Sequence, residues 1–286
     1  MPLFRHRGVM LDPARLMERK ETYFFLLPWL REWGYNAVQL HLTDDQGCAL
    51  AFPSHPELAR RDAFQPDEMR DFIRKAGRLG LEVIPEIESF GHTRCITAHP
   101  AFRHLGGRGG NAFTAINPDH PDTFRVLDEL FRDAARLFES SIIHAGLDEV
   151  DISGLPRYQR LPPTEHWKIF ARHMQWVLGC IRAHGKRPAM WGDHILSAPQ
   201  LASRLRRDVL IFDWHYDPGI APASLDFFCK KGFEVWGAPA TLCWASRVLA
   251  NRHNLTNLRD FSAVAIPLRG QGVSGMMNTV WCPWRY

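Results

Sequence analysis

Short apolar strands alternating with helical stretches predict an α/β fold on a parallel sheet, and eight such units within 286 residues predict a closed (β/α)8 (TIM) barrel. Glycine repeatedly ends a helical stretch just before a strand, as at Gly34, Gly80 and Gly185, where a residue free to take positive φ suits a helix C-terminus. The strands themselves are short apolar runs, the pattern of a sheet buried on both faces. The other parallel architecture, an open doubly wound sheet, calls for a glycine-rich phosphate turn after an early strand. No G-x-G-x-x-G or Walker loop occurs, and the glycines at 106–110 follow no strand. One barrel domain over residues 1–286 is therefore expected.

In chain order, the first strand covers 7–11 (RGVML), closed by Asp12 and Pro13, and a helix runs through Trp29, Leu30 and Trp33 to Gly34. The second strand covers 36–42 (NAVQLHL), followed by the loop Thr43-Asp44-Asp45-Gln46-Gly47. A helix over 66–79 leads to the third strand at 81–87, whose loop carries Glu88, Gly91 and His92. Residues 93–117 have two Gly-Gly pairs and no clear period, which reads as a long loop. A helix over 119–139 feeds the fourth strand, where an apolar run passes through His144 and Gly146 to two adjacent carboxylates, Asp148 and Glu149. A helix over 163–184 and strands at 187–191, 209–214, 233–236 and 273–281 complete the pattern. The chain stops at Tyr286 with no room for an eighth helix. That flank is expected to be exposed or covered by a partner subunit, which allows a homodimer.

With 45% hydrophobic and 23% charged residues the chain can bury one large core. A formal net charge of +4, with basic residues scattered among acids, gives no reason to expect a nucleic-acid partner. The N-terminus lacks an apolar stretch behind its basic residues, and no window approaches 18 uncharged apolar residues, so neither a signal peptide nor a membrane span is expected and the location reads as cytoplasmic. Six widely spaced cysteines with no C-x-x-C pair suggest neither a zinc site nor a disulfide framework, and are expected to be reduced.

The loops that follow the strands of such a barrel open on one face, where active sites lie. Gathered there are His41, Asp44 and Asp45, then Glu86, Glu88 and His92, then His144, Asp148 and Glu149, with Trp191, Asp193, His194, Asp213, Trp214, His215, Trp236, Asn278 and Trp281 from the second half. Tryptophan walls with polar groups between them suit a sugar ring, apolar on its C–H face and hydroxylated at its rim. Taken alone, Asp148 and Glu149 are equally readable as a helix cap and a solvated charge.

The segments 7–12 (RGVMLD), 41–47 (HLTDDQG), 84–93 (IPEIESFGHT) and 144–150 (HAGLDEV) resemble, in order and spacing, motifs of glycoside hydrolase family 20, the β-N-acetylhexosaminidases. The resemblance is specific over 7–150 and thins to tryptophans beyond 186. It implies retaining, substrate-assisted hydrolysis of terminal β-linked N-acetylglucosamine or N-acetylgalactosamine, with the substrate's own 2-acetamido oxygen as nucleophile and no cofactor or metal. By the same resemblance Glu149 is the general acid and base, Asp148 orients the acetamido group, and His92 and Asp44 form a relay behind Glu149. Arg7 would bind sugar hydroxyls, Trp214 and Trp281 would wall the sugar, Trp191 is a further candidate wall, and His144 precedes the acid pair as in the family. The partner implied is a glycan or glycoconjugate ending in an N-acetylhexosamine.

The chain departs from the pattern at three points. Leu147 stands where the family commonly has a glycine, and leucine does not easily take positive φ. The stretch 237–241 lacks the usual tyrosine, for which Tyr216 is a candidate replacement, and Cys282-Pro283 leaves out a glutamate that helps recognise the sugar. The choice between the two sugars is thus left open. A non-catalytic glycan-binding barrel is the main alternative, and a metal-dependent hydrolase using His41, His92, His144 and His215 is a further one, although strand one lacks the H-x-H pair such barrels usually show. Hydrolysis of another β-linked sugar would need a protein nucleophile that the sequence does not identify.

Overall fold

The computed structural model describes residues 2–107, 115–220, 223–243 and 250–282. Eight strands, β1 (His6–Leu11), β2 (Ala37–His41), β3 (Glu82–Glu86), β4 (Ile142–His144), β5 (Arg187–Trp191), β6 (Leu210–Trp214), β7 (Glu234–Ala238) and β8 (Val273–Val280), pair in parallel in that order. The closing pair is β8 on β1, with His6 opposite Gly275 and Leu11 opposite Val280. The fold is a closed eight-stranded parallel barrel.

Helices α1 (Lys20–Glu32), α2 (Pro66–Arg78), α3 (Pro121–Leu137) and α4 (Pro163–Ala183) make the first four crossovers. Proline opens α2, α3 and α4, where its missing N–H costs nothing. The crossover after β5 is slighter, a short helix α5 (Asp193–Ser197) and a 3-10 turn at Pro199–Arg204, followed later by α6 (Ala223–Lys230) and α7 (Arg252–Ala265). The expected long loop at 93–117 is partly ordered into a one-turn helix, Arg94–Thr97, and a 3-10 turn, Pro100–Leu105. Its Gly109-Gly110 pair lies outside the described residues.

Side chains alternate across each strand, so one set points outward to the helices and the other fills the barrel. The interior holds Met10, Ile84, Trp191, Phe212, Trp236 and Met277, all fully buried. Two indoles in one barrel require space elsewhere. A Cβ on Gly275 would lie 2.9 Å from the Trp236 ring and 2.8 Å from His6. No described helix is long and apolar enough to cross a membrane, and the six cysteines form no disulfide.

Candidate active site

The turn after β4 carries the acid pair in an unusual backbone conformation. Gly146, Leu147 and Glu149 have φ of 65°, 73° and 46°, and left-handed conformation costs a non-glycine residue about 1 kcal/mol or more. Leu147 therefore does take the positive φ expected to exclude it. Its side chain is fully buried, and burying a leucine is worth about 2 kcal/mol, enough to offset the backbone cost. Gly146 is obligatory for a second reason, since a Cβ there would meet Glu88 Oε2 at 2.0 Å.

His92, itself at φ 49°, is the hub of the charged side. Its Nε2 lies 3.2 Å from Glu149 Oε2 and 3.8 Å from Asp148 Oδ2, and its Nδ1 lies 3.2 Å from Asp45 Oδ2 and 3.6 Å from Asp44 Oδ2. The carboxylate hydrogen-bonded behind His92 is thus Asp45, whereas the relay was expected through Asp44. Asp44 is drawn elsewhere, to Arg15 Nη2 at 3.0 Å and His41 Nε2 at 3.2 Å.

Electrostatics divides the pair. Burial, together with the charges of Asp193, Glu149 and Glu86, pushes Asp148 up to about 7 against the pull of His92. The hydrogen bond from His92, opposed by burial, holds Glu149 below the usual range. Burial disfavours the His92 cation, but hydrogen bonds to Asp45 and Glu149 and the charge of Asp148 outweigh it and hold the imidazole well above its ordinary value. Glu149 is thereby the carboxylate and Asp148 the group titrating near neutrality.

Arg15, Asp148, Glu149, Trp214, Tyr216 and Trp281 line the pocket. The Arg15 guanidinium lies over the Trp281 ring at 4.6 Å. Trp214 and Tyr216 stack at 5.0 Å, and Trp281 Nε1 donates to Tyr216 Oη at 2.6 Å. Two buried polar atoms at this wall, Asp148 Oδ1 and Trp214 Nε1, have no hydrogen-bond partner among the described residues. The space between these side chains is only about 30 Å³, against roughly 300–1,000 Å³ for small-molecule sites in general.

Arg7 and Trp191, both expected to contact the sugar, lie elsewhere, and His144, which precedes the acid pair as in the family, takes the place of a buried histidine. Arg7, near the start of β1, donates to Gly34 O at 2.6 Å and Phe4 O at 2.7 Å, at the barrel end opposite the pocket. Arg15 supplies the guanidinium at the mouth, and its place beyond the end of β1 is the signal that distinguishes the two arginines. Trp191 is fully buried and donates from Nε1 to Glu86 Oε1 at 2.7 Å. His144 is equally buried, its Nδ1 3.3 Å from Glu86 Oε1. Both form the floor beneath the pocket, because β4 and β5 end with these side chains turned into the barrel. Glu86 also meets Gln39 Nε2 at 2.8 Å and His41 Nδ1 at 3.1 Å.

Of four groups among the described residues with donor atoms near enough to one another to share an ion, two, His41–Glu86–Glu88 and His92–Asp148–Glu149, include histidines of the metal alternative. Its other two histidines are in neither group: His144 lies on Glu86, and His215 stands apart with Asp213 and Ser224. Of the segment expected to lack the sugar-binding glutamate, Pro283 lies outside the described residues.

The family model described as "Glycosyl hydrolase family 20, catalytic domain" matches residues 4–246. The chain is 27% identical over 274 residues to a beta-hexosaminidase of Vibrio furnissii, covering 82% of this chain and 43% of that protein. It is 28% identical over 218 residues to a beta-N-acetylhexosaminidase of Cellulomonas fimi, covering 69% of this chain and 41% of that one. The chain spans less than half the length of these relatives. Among solved structures, the family 20 exo-β-N-acetylglucosaminidase of Vibrio harveyi in complex with N-acetylglucosamine superposes with a TM-score of 0.78 at 24% identity, over 99% of this chain and 51% of that one. The β-N-acetylhexosaminidase of Streptomyces coelicolor superposes with a TM-score of 0.75 at 22% identity, over 98% and 60%. With a barrel of the same shape and a family model matched from β1 through β7, the chain belongs to glycosyl hydrolase family 20 through its catalytic domain.

Proposed function

We propose that this barrel is a retaining β-N-acetylhexosaminidase that removes terminal β-linked N-acetylglucosamine or N-acetylgalactosamine by substrate-assisted catalysis. One observation carries the reading: Asp148 is buried with an unpartnered oxygen, directly beside a Glu149 that is held by His92. An acetamido N–H is the donor that Asp148 Oδ1 lacks. Accepting it keeps Asp148 ionised and turns the acetamido oxygen toward the anomeric carbon, where it displaces the departing sugar and leaves an oxazolinium. The ionised Asp148 stabilises that cation. Glu149 gives its proton to the leaving oxygen and then takes one from the incoming water.

His92 holds Glu149 as the carboxylate, so the acid must take up its proton as substrate binds. A sugar against Trp281 and Tyr216 displaces water from its half-exposed carboxyl and raises its proton affinity. Arg15, next to Glu149 and over Trp281, is the guanidinium available to ring hydroxyls. Tyr216 takes the part of the family tyrosine missing from 237–241.

The test is release of p-nitrophenol from the β-N-acetylglucosaminide and the β-N-acetylgalactosaminide by the native protein, Glu149→Gln and Asp148→Asn. Turnover abolished in both variants supports the proposal, and the ratio of the two native rates gives the sugar preference. A folded native protein that binds N-acetylglucosamine without turning over either substrate overturns it in favour of a glycan-binding barrel.

A further inference from the structure

The two residues that open α5 reach across to the backbone of the catalytic turn. Asp193 Oδ2 accepts from Glu149 N at 3.1 Å, and His194 Nε2 accepts from Val150 N at 2.8 Å. The barrel ladder does not hold these amides, because β4 ends at His144. Its last link to the turn is Trp191 N donating to Gly146 O at 3.1 Å. Beyond that point the left-handed Leu147 and Glu149 depend on partners from outside their own strand.

Both partners are themselves fixed. The His194 ring stacks on Phe170 of α4 at 4.4 Å and 29°, and Phe170 is buried. Asp193 is the first residue of α5, directly after the β5 strand that forms the pocket floor. Together with Val150, Trp167 and Leu201, His194 also walls a cavity of about 360 Å³ behind the turn. Val150 packs against the core, and on the cavity side the two hydrogen bonds tie its backbone and that of Glu149 to α5.

We propose that Asp193 and His194 are positioning residues that hold the backbone at Val150 and at the left-handed Glu149, and so keep the Glu149 carboxyl on His92. The inference rests on the reading of Glu149 as the acid and base. His194 acts as an acceptor, which requires an unprotonated Nε2. Burial, working against the charges of Asp193 and Glu149, favours that neutral ring. Asp193 acts through one carboxylate oxygen, a part that an asparagine oxygen fills equally well.

The experiment compares Asp193→Ala and His194→Ala with the conservative Asp193→Asn and His194→Gln, reading amide exchange at Glu149 and Val150 and kinetics on the p-nitrophenyl N-acetylglucosaminide. The alanine variants are expected to speed exchange of the released amide at least tenfold and to lower kcat by one to two orders of magnitude, with KM within threefold of native. Asp193→Asn is expected to restore both readouts to within about fivefold. Unchanged exchange in Asp193→Ala and His194→Ala overturns the inference, as does an equal fall in kcat for Asp193→Ala and Asp193→Asn, which would assign the effect to charge. A native protein without turnover defeats the hexosaminidase reading, and amide exchange then decides alone whether the pair holds the turn.

Discussion

Around the loops after β2, β3 and β4, each acidic group of the pocket sits against a cation, an imidazole or another acid: Asp44 on Arg15 and His41, Asp45 and Glu149 on His92, Glu86 between His41 and His144. Across the slot, Trp214, Tyr216 and Trp281 are joined by one ring stack and one N–H···O bond. Moving a buried member of the first set, such as Asp44 or Glu86, strands a buried charge, which costs several kcal/mol. Moving a ring in the second set costs a stacking contact of about 1 kcal/mol. The charged side is thereby suited to fixing protonation states, and the aromatic side to widening the slot of about 30 Å³ between the two sides.

The sharpest way to test the charged side is Asp148→Asn. Its rate on N-acetyl substrates is expected to fall by roughly 10²–10³, the range for removing a group that stabilises charge only in the transition state. Stability should move the other way. Burial raises the folded-state carboxyl from 3.8 to about 7, so the folded protein holds this proton more tightly than the unfolded chain. Its stabilising contribution is complete below pH 4 and is lost as pH rises through 7. Relative to native, the asparagine variant is therefore expected to melt at nearly the same temperature at pH 4 and higher at pH 8, with a difference of about 4 kcal/mol as the ceiling. Thermal scans at the two pH values check the sign, and a gap that narrows toward pH 8 breaks the assignment.

Arg15→Ala comes next and joins the two sides, because Arg15 both neutralises Asp44 and lies over Trp281. It is expected to raise KM about tenfold or more and to lower stability by about 3 kcal/mol, since Asp44 stays buried without its cation. Arg15→Lys should recover more of the stability than of the KM, because a point charge replaces the ion pair but not the planar fork. Steady-state kinetics beside denaturant titration separates the two losses.

On the aromatic side, Tyr216→Phe removes only the hydroxyl that accepts from Trp281. A tenfold or smaller fall in kcat/KM on N-acetyl substrates is expected, the worth of about one hydrogen bond. The ring stack on Trp214 remains, so the melting temperature should change by little. Unchanged kinetics would remove Tyr216 from the mechanism and leave it as a hinge for Trp281.

The contrast also explains what was legible in the chain. Seven of the eight barrel strands were readable to within a residue or two, because each is a short apolar run with a glycine stop or a polar loop beside it, while the fourth ends at His144, before the end of the apolar run that leads to the acid pair. The acid pair and His92 were readable as neighbours because they sit in compact motifs at strand ends, whereas the hydrogen bond behind His92 goes to Asp45 and not to the expected Asp44. The tryptophans were ambiguous, because positions two residues apart along a strand share the inner face and differ only in height, the lower filling the barrel and the upper reaching its mouth. Trp191 and Trp236 fall on the lower set, while Trp214 and Trp281 reach the pocket. Asp193, His194 and Asp45 were visible as strand-end polar residues, but their particular partners depend on how three loops approach one another, which no local pattern encodes.

The smallest kinetic effect is expected where the resemblance and the geometry part company. Arg7 lies within a motif matched to the family, yet its guanidinium is engaged by the carbonyls of Phe4, Arg5 and Gly34 at the start of β1. Those carbonyls belong to the N-terminal segment and to the turn that ends α1, so Arg7 ties the chain's first residues to the α1–β2 connection. Arg7→Ala should leave kcat and KM within twofold of native while lowering stability by about 1–3 kcal/mol, the cost of leaving part-buried carbonyls without a charged donor. Arg15→Ala is the matched control, because it reverses the pattern in KM. If instead Arg7→Ala raised KM as Arg15→Ala is expected to, the sugar would have to reach the bottom of a barrel whose interior is filled by Met10, Trp191, Trp236 and Met277, and the division of the molecule into a pocket face and a structural face would fail.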